Sequence, residues 1–99
     1  MSFNTEKSPQ EILDYIIDYS QEMALSSPVD QIVSSVWTLE DSSTDNLTLD
    51  QDSIQAPDHV ICRVSDGGRL NVIHYLVNRV LTVSGQKHQR TIKVTMRKS

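Results

Sequence analysis

With a single cysteine, Cys62, the chain cannot carry an internal disulfide framework, the usual staple of small secreted domains. Cys62 sits in an apolar, strand-like stretch and reads as a small buried hydrophobe. No His or Lys stands beside it in a motif that would activate a thiolate. Aromatic residues make up 5% of the chain, so any core is mostly aliphatic and few rings are left over to stack on a sugar. No apolar run approaches the roughly 18 residues of a membrane span. The opening stretch, MSFNTEKSPQ, lacks the apolar segment of a signal peptide, so synthesis in a cytoplasm and no contact with a membrane are expected. Excess positive charge is missing too. The formal net charge is −4, which disfavours general nucleic-acid binding, a process driven by phosphate neutralisation.

Catalytic motifs are equally scarce. There is no nucleophile elbow, P-loop, dinucleotide fingerprint or zinc spacing. The three histidines, His59, His74 and His88, fall on different strands or turns and read as surface or edge residues. Asp41, Asp45, Asp50 and Asp52 suggest calcium at first sight, but the Asp50-x-Asp52 pair lacks the turn glycine and closing glutamate of a calcium loop. No catalytic, cofactor-binding or metal-binding residue is expected, and the chain is not expected to be an enzyme.

What the sequence does have is strands. The last third runs from Gly67 to Met96 as a turn, a long β-branched stretch from Ile73 to Val83, a Ser84-Gly85-Gln86 turn and a second strand. In that second strand Ile92, Val94 and Met96 alternate with Thr91, Lys93, Thr95 and Arg97, the mark of a half-buried strand with a charged outer side. Residues Gln86 to Arg90 read as a polar hairpin tip or the wet end of the second strand. A helix over residues 70–83 would also align Leu70, Ile73, Val77 and Leu81, but the valines argue against it.

Earlier in the chain, Val33, Ser35, Trp37 and Leu39 alternate with Ile32, Ser34, Val36 and Thr38, and Val60, Cys62 and Val64 alternate with Ile61 and Arg63. Asp41 to Asp52 reads as an acidic loop with one short strand, Leu47-Thr48-Leu49. Ile12 to Tyr19 suits an amphipathic helix and a strand equally well. Residues 1–9 read as a polar, mobile leader and residues 10–99 as one domain. Six or seven short strands with turns between them suggest an all-β sandwich. Trp37, Tyr75, Val77, Cys62, Ile92 and Val94 are its expected core, and the acidic loop and the hairpin tip are its expected contact regions.

Along almost its whole length the chain resembles the fibre–tail adaptors of tailed phages. The resemblance lies in order and spacing: Leu13-Asp14-Tyr15 with Ile17-Asp18-Tyr19-Ser20; then Asp30, Ile32, Ser35 and Trp37; Gly67-Gly68; Tyr75, Val77, Asn78 and Arg79; Thr82, Ser84 and Gly85; and Arg90, Ile92 and Val94. Tyr19 stands where the family usually has Trp, Gln86 where an Arg follows Gly85, and Arg69-Leu70-Asn71 where another Gly follows the pair. The resemblance implies an immunoglobulin-like antiparallel β-sandwich of about seven strands, and it tips Leu13–Ser20 toward a strand. It further implies a structural virion protein joining fibres or neighbouring components to the tail or neck. Its partners would be tail, fibre, neck or connector proteins and further copies of itself in a symmetric ring. The competing reading is a ligand- or receptor-binding sandwich at a host-facing surface, for which the aromatic supply is thin.

Overall fold

The computed structural model describes residues 2–25, 29–40, 47–56 and 58–98. In order these form β1 (Ser2–Lys7), β2 (Leu13–Asp18), α1 (Ser20–Ala24), β3 (Ile32–Glu40), β4 (Leu49–Ala56), β5 (His59–Val64), β6 (Ile73–Thr82) and β7 (Lys87–Met96). One sheet has the order β1-β7-β6-β3 and the other β2-β5-β4, an all-β sandwich. Every described pairing is antiparallel except β1 with β7.

The β6–β7 hairpin is the spine. Its register runs unbroken from Ile73 opposite Thr95 to Leu81 opposite Lys87. Strand alternation sends His74, Leu76, Asn78, Val80 and Thr82 inward from β6, and Ile92, Val94 and Met96 inward from β7; all are buried. Opposite them lie Tyr15 and Ile17 of β2 and Val60, Cys62 and Val64 of β5, in one core with Trp37 and Ile32. The ambiguous Ile12–Tyr19 stretch is a strand through Asp18, as the resemblance implied, and turns at once into the short α1, which buries Met23.

Several expectations need correcting. The leader is not free: Ser2–Lys7 pairs in parallel with β7, Thr5 opposite Val94. Lys7 ends this strand buried, its Nζ donating to the Ser8 carbonyl at 3.0 Å. The loop expected to reach Asp52 gives way at Leu49 to β4, whose register shifts between Asp50 and Ser53 and again between Ile54 and Ala56. Tyr75 is only half-buried, because β6 turns the His74 side inward and the Tyr75 side out. Val77 is buried, yet on that outer side, between Thr38 and Thr91 of the flanking strands. His74, read as a surface histidine, is fully buried. Finally, a bulge between Ile32 and Ser34 puts Ile32 on the Trp37 side and leaves Val33 exposed. The other expected core residues, Trp37, Cys62, Ile92 and Val94, are buried.

Candidate interaction surfaces

Two groups of polar side chains gather toward the end of the sandwich that carries the β6–β7 turn. In the first, the Tyr19 hydroxyl donates to Asn78 Oδ1 at 2.8 Å. Asn78 Nδ2 in turn donates to Ser35 Oγ at 2.9 Å and to the Val36 carbonyl at 3.3 Å. The Arg90 guanidinium lies over the Tyr19 ring, 5.1 Å from its centroid, and is ion-paired with Glu22 of α1. Burial pushes the Tyr19 phenol up to about 12, with Arg90 opposing. Tyr19 and Asn78 are both fully buried, so this network ties β2 to β6 and β3 through the core.

The second group is a clasp. Asp30, also buried, accepts from the backbone N–H of Gln31 at 2.9 Å and of Ser84 at 3.1 Å. It also accepts from the Ser84 hydroxyl and from the Thr82 side chain. These bonds, the Ser84 and Thr82 side chains foremost, hold its carboxyl down at about 2. Thr82 Oγ1 meanwhile accepts from the Gln86 N–H at 3.1 Å, so one carboxylate fixes both the turn and the approach to β3. Gly85 makes the turn possible with a φ of 89°. Ser35, Asn78 and Arg90 of the first group and Asp30, Thr82 and Ser84 of the second are residues that carried the family resemblance, and Tyr19 stands at a position where the chain departs from it. Sequence order scattered them; the fold brings them into two networks. Each is bonded to a partner inside the molecule.

One described ionisable group has the spacing of metal ligands: the donor atoms of Asp18, Asp58 and His59 lie within 4.8 Å of one another. At the junction of β2 and β5, His59 stands between two carboxylates, its Nδ1 2.6 Å from Asp58 Oδ1 and its Nε2 3.5 Å from Asp18 Oδ2. Both ring nitrogens therefore face acids already. Burial pushes the Cys62 thiol up to about 12, so it is a poor nucleophile near neutral pH.

The outward surfaces of the two sheets differ in their charged residues. The outer face of the three-stranded sheet presents Asp14, Ile16 and Asp18 from β2, with Asp50 across from Arg63. Arg63 is bonded to Asp14 through Nε at 2.8 Å. The outer face of the four-stranded sheet presents Lys87 and Lys93 from β7 and Arg79 from β6. Here Val36 and Leu81 line an open groove of about 410 Å³, with Ser34, Arg79, Lys87 and Gln89 around it. Of the two expected contact regions, residues 41–46 lie outside the described residues. Of the two readings of Gln86–Arg90, the structure has the wet end of the second strand: the turn is Val83 to Gln86, and β7 starts at Lys87.

A model of the podophage GP4 fiber-tail adaptor protein gp77 family matches residues 7–95 of the 99. The chain belongs to that family. It is thus a structural adaptor protein of a phage, as the resemblance implied. No curated protein matches it. Among the described residues no helix is long and apolar enough to cross a membrane.

Proposed function

We propose that this chain is a non-enzymatic virion part that joins tail fibres or neighbouring components to the tail or neck, working as several copies in one particle. The family match carries the reading. The physical character of the molecule supports it. Tyr19, Asn78, Asp30 and Thr82 are buried and bonded into two networks toward one end, while apolar side chains such as Ile16 and Val36 are turned outward. That is the economy of a protein that binds other proteins through its surface. The sheet orders β7-β6-β3 and β2-β5-β4, with the tryptophan buried on β3, fit an immunoglobulin-like sandwich. Four strands, β1, β2, β3 and β4, lie at sheet margins, and strand addition to such an edge is an established way to dock a partner.

The receptor-binding reading loses ground because Trp37, the ring that would stack on a glycan, is 8% exposed. Mass spectrometry of purified particles tests the assignment. The chain should be present in a fixed ratio to tail components, and its absence from washed particles would overturn the proposal.

A further inference from the structure

We propose that copies of this chain stack face to back, with Ile16 of one copy seated in the Val36–Leu81 groove of the next. This rests on the multi-copy reading above and adds which two surfaces meet.

Ile16 is the knob. It lies at the middle of β2's outer side and is 60% exposed, opposite Ile61 of β5. Alternation places Asp14 and Asp18 on either side of it on the same face. An apolar side chain this open, bracketed by carboxylates, makes an anchor with a charged rim. The groove on the far sheet has the matching character. Val36 and Leu81 are 52% and 38% exposed. They are diagonal neighbours, since Ser34 pairs with Leu81 and Val36 with Arg79. Lys87 and Arg79 flank them; Arg79 is ion-paired with Glu40 at 3.3 Å, whereas Lys87 has no ion pair among the described residues. The groove's volume of about 410 Å³ leaves room for an aliphatic side chain.

Charge decides the occupant. Two acidic faces repel each other, and so do two basic ones, so like-to-like pairing of either face is disfavoured. With Asp14 counted against Arg63 and Arg79 against Glu40, an apolar knob beside the Asp18 carboxylate and an apolar groove beside the Lys87 ammonium still complement each other on one and the same chain. A second copy is therefore the partner that fits. Because the two surfaces differ, the contact is heterologous, and its repetition closes into a ring or continues as a helical array. The apolar contact supplies most of the attraction, and the rims supply orientation and a dependence on salt.

Sedimentation velocity over a concentration series tests this with Ile16→Ser and Val36→Asp. Both positions are exposed, and circular dichroism melts check that each variant still folds. The wild type should grow in mass with concentration beyond a dimer. Each variant alone should be monomeric. Mixed in equal amounts they should form a one-to-one heterodimer and nothing larger, because the first keeps its groove and the second its knob. Lys87→Glu, a milder change, should weaken self-association at least tenfold, and added salt should weaken the wild type. A wild type that stays monomeric, single variants that assemble normally, or a mixture that stays monomeric would each overturn the contact. Particle mass spectrometry reads out separately. A monomeric chain found in particles refutes this contact alone, and a self-associating chain absent from particles refutes the adaptor role alone.

Discussion

The two sheets of this sandwich use polar residues in opposite ways. The four-stranded sheet takes them inside. His74, Asn78 and Thr82 alternate with apolar residues on the inner face of β6, and the hydrogen bonds of Asn78 and the Thr82 turn lock strand to strand and strand to turn. Its central ladder keeps one register over ten-residue strands. The three-stranded sheet keeps its inner face apolar, with Ile17, Val60, Cys62 and Val64, and turns its carboxylates outward. Its strands β2 and β5 are short and β4 shifts register twice. The difference teaches that the first sheet adds buried polar bonds to its ladders, while the second joins its strands by ladders and an apolar inner face and keeps its charged pairs, such as Asp14 with Arg63, on the outside. Where a polar residue sits, not how many there are, separates framework from contact surface.

That contrast can be broken from the inside of the larger sheet outward. Trp37→Ala should do most damage. It removes the largest side chain of the core and should cost on the order of 3–5 kcal/mol, read from urea unfolding; a well-folded variant with an unchanged midpoint would refute its central place. Next comes Asn78→Leu, which strands the buried Tyr19 hydroxyl and should cost about 1–3 kcal/mol. Adding Tyr19→Phe should recover part of that loss, since both partners are then apolar; a simple sum of two losses would mean that the bond is not the cause.

Asp30 sharpens the comparison through pH. Its carboxyl is held at about 2 when folded, against about 3.9 for a free aspartate, so its contribution is fully present above pH ~4 and is lost as pH falls toward 2. Unfolding midpoints of wild type and Asp30→Asn should therefore differ at neutral pH and converge in that acid window. Parallel curves down to pH 2 would remove the clasp from the account. Smallest of all should be Arg63→Ala on the outer face of the second sheet. Its pairing with Asp14 lies in solvent, and the melting temperature should stay within error of the wild type.

Much of the framework was legible in the residues. Strict alternation marked β5 and β7, and the β-branched run marked β6, because half-buried strands write their faces into a period of two. The register of faces was harder. In β6 apolar residues occur on both sides, so nothing in Ile73 to Leu81 announced that His74 and Asn78 would face the core and Tyr75 would not. One bulge residue inverted the reading of Val33. β1 and β4 escaped notice because Ser-Phe-Asn-Thr-Glu-Lys and Asp-Gln-Asp-Ser carry no apolar pattern; a neighbouring strand's free edge, not their own composition, makes them extended. The Asp30 clasp and the Tyr19–Asn78 bond join residues 54 and 59 positions apart, which no local period reveals. Ile16 was visible as an apolar residue, but its exposure depends on the packing of the sheets.

The parallel placement of β1 on β7 has a mechanical consequence. Ser2 enters the ladder beside Thr91 and Lys7 leaves it beside Met96, so the chain departs from this seam in opposite directions at its two ends. Tension applied between residue 2 and residue 98 thus pulls along the seam and strains all its bonds together, instead of peeling them off one after another. A building block wired this way resists stretching along its length far better than its modest size suggests.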